Sequence, residues 1–229
     1  MGREENERSP IIWGTSYDQL KGKRRVRLLL LNFFYLMMVG ALGVLVIQSQ
    51  KANDPFILQK DLFEEYKMKE SIYSVLRHKR ISLNQALDVA EVTIKQSKTL
   101  NIPISLILAV MKKESMFNPY AVSSRKAMGL MQVHPITWRE YASKLNLDLS
   151  TQAVFDPTTN VIVGTQIIKD LYGFYGKAAY SESETWTLAS AAYYAGKGSL
   201  FRKGVTYRHL RYVADVKEFK DEFDEKFKN

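Results

Sequence analysis

The sequence predicts a mainly α-helical protein in which one transmembrane helix and a helical spacer precede a larger helical domain. Apolar residues recur at helical spacing through most of the chain after residue 54. Helix start signals accompany these segments, among them Pro55, and Ser82 with Gln85 as a capping box. No apolar alternation of period two persists long enough to indicate a sheet.

The first predicted element is a transmembrane helix over residues 26–48. Its centre, residues 28–47, contains no charged side chain and has the length that spans the hydrocarbon of a bilayer. The basic side chains before it are Lys21, Lys23, Arg24, Arg25 and Arg27. The positive-inside rule therefore predicts residues 1–25 as a cytoplasmic tail, with the remainder across the membrane. A cleaved signal peptide is the alternative, although no clear small-x-small cleavage site follows the apolar segment.

The rest of the chain is predicted as a helical spacer over residues 49–81 and a domain over residues 82–229. The spacer pattern is amphipathic after Asp54. Asn101 and Pro103 are interpreted as the start of the helix that contains Glu114. The other helices predicted in the domain cover residues 82–98, 135–145, 158–175, 184–194 and 207–228.

The amino-acid composition excludes several classes of function for this protein. The net charge of +9 is a mild excess that suits an anionic membrane or polymer. No Lys/Arg cluster is interleaved with aromatic residues, so nucleic acid is not expected as a partner. The absence of cysteine excludes a disulfide framework, a thiolate metal site and a cysteine nucleophile. His78, His134 and His209 lack metal-ligand spacing, so neither a metal nor another cofactor is expected.

Glu114 is the unexpected residue of an apolar helix. It shares one helical stripe with Ile107, Val110 and Met111, so it is expected to face the core, with Lys112 and Lys113 on the solvated side. Burial disfavours a charged carboxylate and keeps the proton that a general acid needs. The alternative is a helix-end glutamate that accepts from a backbone amide or pairs with Arg125.

Several short motifs surround this acid. They are Glu114-Ser115, Phe117-Asn118-Pro119, Ala121-Val122-Ser123, Gly129-Leu130-Met131-Gln132 and Ala192-Tyr193-Tyr194-Ala195-Gly196. In this order and spacing the sequence resembles the soluble-lytic-transglycosylase type of lytic murein transglycosylase, most strongly over residues 97–200. The resemblance implies a lysozyme-like fold. It also includes a linking helix, for which Asp156 is interpreted as the N-cap and Gly164 as a close-packing position.

The resemblance assigns roles to matching positions. Glu114 would be the sole catalytic acid and base, and Ser115 a neighbour that orders substrate or solvent. Gln132 would line the cleft and bind the sugar, with Met131 as support and Gly129 allowing the backbone to come close. No metal ligand is implied.

Two tyrosines complete the implied site. Tyr193 would match the motif tyrosine whose hydroxyl hydrogen-bonds the catalytic carboxyl group. Tyr194 departs from the pattern, because the family usually has asparagine there. A phenol cannot reproduce the paired donor and acceptor of an amide, so the substrate contacts at this position are expected to differ.

The implied enzyme is a carbon–oxygen lyase that acts on peptidoglycan glycan strands. It cleaves the MurNAc-GlcNAc β-1,4 bond without water and leaves 1,6-anhydroMurNAc, which explains why a single carboxyl group suffices. Together with the predicted transmembrane segment over residues 28–47, the resemblance predicts a protein of the bacterial inner membrane with its catalytic domain in the periplasm. An envelope or secretion machinery is a further candidate partner. The alternatives are a hydrolytic muramidase and a non-catalytic peptidoglycan-binding scaffold.

Overall fold

The computed structural model describes residues 30, 32–45, 55–77, 79–150, 152–177, 181–196, 198, 200, 202 and 204–228. The chain divides into two compact units, residues 1–62 and 63–229. In the first unit, residues 30 and 32–45 are helical. Over the described residues, no helix combines the length and apolarity needed to cross a membrane. The predicted tail, its basic flank and part of the 28–47 segment lie outside the described residues.

The second unit is helical, as the sequence predicts. Its long elements, named here in chain order, are α1 (Pro55–Leu76, which begins in the first unit), α2 (Leu83–Leu100), α3 (Ile104–Ser115), α4 (Pro135–Lys144), α5 (Pro157–Tyr175), α6 (Glu182–Ala195) and α7 (Tyr207–Phe227). A short 3₁₀ helix, Ala153–Phe155, was not predicted. Ile72, Val75 and Leu76, from the predicted spacer, are buried in the main core.

Local capping chemistry explains where the helices begin. Ser82 and Gln85 form the predicted capping box at the start of α2. Asp156 caps α5 as predicted, because its carboxylate accepts from the Thr159 amide at 2.7 Å. Asn101 was interpreted wrongly: it ends α2 in the left-handed conformation, with φ 51°, and Pro103 directly precedes α3.

Helix α3 lies at the centre of the second unit. Every residue from Ser105 to Met111 is buried, so the helix has no solvated face along most of its length. Its most extensive packing is against α7. The prediction that Lys112 and Lys113 point into solvent is wrong, because both side chains pair with acidic residues of α7. The Lys112 ammonium contacts Glu222 at 2.5 Å and lies 4.2 Å from the Phe219 ring centroid, and Lys113 pairs with Asp215.

Candidate active site

Glu114 lies in the last turn of α3, where the chain then reverses. Met116 and Phe117 follow in the left-handed conformation, with φ 53° and φ 63°. Two successive non-glycine residues in this region are strained. The side chain of Phe117 compensates by burial, and its ring packs edge-on against Phe223 with centroids 6.3 Å apart. The end of α3, and with it the acid, is thereby fixed against α7.

The environment of Glu114 favours the protonated form. Burial raises the pKa of its carboxyl group from 4.5 to about 7, against the opposing effects of the Tyr212 hydrogen bond and the Lys113 charge. The position at the negative end of a helix dipole acts in the same direction as burial. Lys113 also forms an ion pair with Asp215, so its positive charge is shared between Asp215 and Glu114. The carboxyl group therefore exchanges its proton near neutral pH.

The phenol that contacts the acid comes from α7. The Tyr212 hydroxyl donates to Oε1 of Glu114 at 2.6 Å. The prediction that Tyr193 makes this bond is wrong, because the Tyr193 hydroxyl donates to the Met131 carbonyl at 2.7 Å. Burial and the nearby Glu114 raise the pKa of both phenols well above their usual range, so both stay protonated.

The alternative partners of Glu114 are not observed. Arg125 is exposed, and among the described residues the carboxyl group accepts from Tyr212 rather than from Arg125 or a backbone amide. The same residues contain no group of three or more His, Asp or Glu side chains that could hold a metal ion.

The loop of residues 128–133 contacts the end of α3 through Ser115 and is held by Asn160. This fully buried side chain accepts from the Met131 amide at 2.7 Å. It also donates to the carbonyls of Met128 at 3.1 Å and Val154 at 2.9 Å. A side-chain amide can make four hydrogen bonds, and few partners are available to it in a core. Asn160 makes three, all of them to backbone groups. The sequence interpretation gave Asn160 no role of its own.

Gly129 is required by the packing of this loop, and its predicted role in a close approach to the sugar remains a prediction. Its φ is 81°, and an added Cβ would lie 2.2 Å from Nδ2 of Asn160. Gly164 on α5 confirms its predicted packing role, because a Cβ there would lie 2.4 Å from Sδ of Met131. Met131 itself is fully buried. The loop and α5 are thus fitted together through two glycines.

Ser115 and Gln132 are brought to the same loop. The Ser115 hydroxyl donates to the Leu130 carbonyl at 2.7 Å. Gln132 has φ 51°, and its Nε2 donates at 3.0 Å to the carbonyls of both Ala121 and Gly129. Both side chains hold the loop in this structure, and their predicted contacts with substrate remain predictions.

Tyr194, the departure from the family pattern, lies at the end of α6. Its ring stacks on that of Tyr212, with centroids 4.8 Å apart and planes inclined by 21°. It also meets the His209 ring edge-on at 6.0 Å. The predicted motifs therefore come together in the fold. Ser115 and Tyr193 each contact the 128–133 loop directly, and Tyr194 is connected to Glu114 through Tyr212.

Comparison with known proteins gives consistent matches. The family described as Transglycosylase SLT domain matches residues 91–212. Membrane-bound lytic murein transglycosylase C of Edwardsiella ictaluri is 31% identical over 180 residues, which are 74% of this chain and 49% of that protein. The protein of that name from Klebsiella pneumoniae strain 342 is 37% identical over 109 residues, 46% of this chain and 30% of its own. The chain thus spans half or less of the length of these relatives.

One solved structure supports the fold. It is an inactive mutant of the lytic transglycosylase Slt from Pseudomonas aeruginosa, with a TM-score of 0.52 and 24% identity. The match covers 60% of this chain and 24% of that one.

The fold and the site define a class of protein, a mainly helical, lysozyme-like domain with a desolvated carboxyl group whose pKa is raised to about 7. Within that class, the family match extends over more than half of the sequence. The chain belongs to the transglycosylase SLT domain family. The family resemblance predicted from the sequence is confirmed, and the relatives carry the name lytic murein transglycosylase.

Proposed function

We propose that this protein is a peptidoglycan lytic transglycosylase in which Glu114 serves first as the acid and then as the base. The observation that carries the proposal is the Glu114 carboxyl group itself, whose pKa is raised by burial to about 7 and which accepts from a phenol at 2.6 Å. Such a group is protonated often enough to donate and basic enough to recover a proton. The names of the relatives support murein as the substrate.

The proposed reaction balances without water. Glu114 donates its proton to the glycosidic oxygen as the bond from that oxygen to C1 of MurNAc breaks. The 6-hydroxyl of the same sugar then bonds to C1, and Glu114, now a carboxylate, takes the hydroxyl proton. An internal nucleophile benefits from effective molarities of about 10⁵ M or more in well-oriented cases. Tyr212 stabilises the carboxylate between the two steps through its hydrogen bond.

The other acidic side chains near Glu114 support the 6-hydroxyl of the sugar as the nucleophile. Retaining and inverting glycosidases pair the acid with a second carboxylate about 5 to 10 Å away. The nearby acid Asp215 is paired with Lys113, and Glu222 is paired with Lys112. Across the described residues, Glu114 is the acid whose pKa is raised. A single acid-base group is what the proposed reaction requires.

Digestion of purified peptidoglycan tests the proposal. We expect mass spectrometry of the products to find 1,6-anhydroMurNAc ends. Products that carry an added water would instead identify a hydrolytic muramidase, and binding without release would identify a scaffold. The Glu114→Gln variant should lose nearly all of this release, whereas Glu218→Gln, an exposed control on α7, should match the wild type. Unchanged activity of Glu114→Gln would exclude it as the acid.

The location is part of the same proposal. The relatives are named membrane-bound, which supports attachment to a membrane. We propose that residues 26–48 span the inner membrane, with residues 1–25 in the cytoplasm and the enzyme domain in the periplasm. A reporter enzyme fused after Asn229 should be active only when periplasmic. Cytoplasmic behaviour of that fusion would reverse the topology without affecting the proposed chemistry.

A further inference from the structure

Tyr194 occupies an unusual position for an exposed side chain beside a buried site. It is 39% exposed, yet its ring stacks on Tyr212, which is 3% exposed. Tyr193, its neighbour on α6, faces inward and bonds the Met131 carbonyl. Two adjacent tyrosines of α6 thus lie on different sides of the Glu114 site, one toward the loop and one over the phenol of α7.

The ring of Tyr194 is held from a second direction by His209. This imidazole is buried, and its Nδ1 accepts from the Thr206 amide at 3.0 Å in the cap of α7. His209 and Tyr212 lie three residues apart on α7, so they form one helical surface against which the Tyr194 ring packs. A stacked contact and an edge contact together restrict the ring to one orientation.

We propose that Tyr194 is a positioning residue whose ring covers Tyr212 and holds the phenol hydroxyl on the Glu114 carboxyl group. Tyr212 is the only side chain that donates to this carboxyl group among the described residues. A small side chain at position 194 would open the outer face of the Tyr212 ring to water. The consequence for catalysis rests on the proposed function, whereas the consequence for the ionisation of Glu114 does not.

The direction of the effect follows from the groups around the acid. Lys113 faces it from its own helix, Tyr193 from α6 and Tyr212 from α7. Burial is the largest influence on the pKa of Glu114 and raises it. Water that enters hydrates the carboxylate and can replace a displaced phenol as donor, so the pKa should fall toward its ordinary value.

The test is a pH titration of Glu114 in the full chain by carbon-13 NMR of its side-chain carboxyl, assigned with Glu114→Gln. We expect Tyr194→Asn and Tyr194→Ala to lower the pKa by about one unit. Tyr194→Phe keeps the ring and should titrate like the wild type. Tyr207→Asn is the matched control, since this exposed tyrosine of α7 lies outside the site. An unchanged or raised pKa in Tyr194→Asn and Tyr194→Ala would overturn the inference.

The rate profile separates this inference from the proposed function. The alkaline limb of kcat/KM should move to lower pH in Tyr194→Asn and stay in place in Tyr194→Phe, because loss of the proton from the acid sets that limb. A lowered NMR pKa together with an active Glu114→Gln variant would leave the inference standing and remove the proposed function. An inactive Glu114→Gln variant with no pKa change in Tyr194→Asn would do the reverse.

Discussion

Two carboxyl groups of this protein each accept a hydrogen bond from a tyrosine, with opposite results. Glu114, at the junction of α3 and α7, accepts from Tyr212, and its pKa is raised to about 7. Asp170 on α5 accepts from Tyr141 at 3.1 Å, and its pKa is lowered. Burial raises the pKa in both cases and is the largest single influence on each. The difference comes from the depth of burial, which is greater for Glu114, and from the remaining partners.

Asp170 has partners that Glu114 lacks. Lys144 donates to it at 2.7 Å and Gln166 at 2.9 Å, so a full cation and an amide stabilise its charged form. The cation nearest Glu114, Lys113, is instead paired with Asp215. One phenol is insufficient to offset the deep burial of Glu114, whereas a phenol with an ammonium and an amide offsets the shallower burial of Asp170. The first arrangement gives a carboxyl group that keeps its proton until near neutral pH, and the second gives a carboxylate that is ionised at neutral pH.

The largest expected effect separates the two acids by function. Glu114→Gln should lower kcat/KM on peptidoglycan by about 10²- to 10⁴-fold, the usual contribution of a general acid. Asp170→Asn should leave kcat/KM within a few-fold of wild type, because its charge serves the junction of α4 and α5. Release of soluble fragments from purified cell walls measures both. Similar losses in the two variants would remove the distinction.

The next effect concerns the side chains that hold each site in place, Asn160 near Glu114 and Gln166 beside Asp170. Asn160→Ala should lower the free energy of unfolding by about 3 kcal/mol, because it leaves three backbone groups at Met131, Met128 and Val154 without their partner. Gln166→Ala should cost about 1 kcal/mol, since Asp170 retains Lys144 and Tyr141. Denaturant unfolding of the two variants compares them. Equal costs would show that Asn160 does not anchor the loop.

The pH dependence of stability should also differ in sign. Glu114 binds its proton more tightly when folded, so its contribution to stability is complete below the unfolded pKa and is lost as pH rises through about 7. Glu114→Gln should therefore be about 2 to 3 kcal/mol more stable than wild type at pH 8, relative to their difference at pH 4.

Asp170 should give the opposite trend. Its folded pKa is lowered, so its contribution is present above the unfolded pKa and disappears as pH falls through the folded value. Asp170→Asn should lose stability at neutral pH and little at acidic pH. Thermal unfolding across the pH range tests both signs, and a common trend would contradict the proposed environments.

The smallest effect comes from removing each phenol. Tyr212→Phe should raise the pKa of Glu114 further, because the hydrogen bond favours the charged form. The lost bond to the carboxylate should lower kcat/KM about tenfold, equivalent to about 1.4 kcal/mol. Tyr141→Phe should change activity by less than a factor of two. A lowered Glu114 pKa in Tyr212→Phe would mean that the phenol excludes water more than it donates.

The sequence predicted the features of this fold that depend on neighbouring residues. The capping box at Ser82 and the N-cap at Asp156 are decided within three residues, and both are confirmed. The helical stripe likewise indicated that Glu114 faces inward. The pattern around Asn101 was ambiguous, because this residue ends α2 and lies only three residues before the start of α3.

The missed features depend on distant parts of the chain. Tyr212 is separated from Glu114 by 98 residues, and Lys113 from Asp215 by 102. A helical pattern shows which side of α3 is apolar, but it cannot show that α7 brings acids to the lysines on the other side. Asn160 could have been suspected as a polar residue on a mostly apolar face of α5, the same signal that identified Glu114.

The central claim is that the side chain of Glu114 holds its proton until near neutral pH. Infrared difference spectra between the wild-type full chain and Glu114→Gln, recorded across pH, measure this directly through the C=O stretch of the protonated carboxyl. We expect that band to disappear with a midpoint of about 7. A midpoint near 4.5, the ordinary value for a glutamate, would contradict the account.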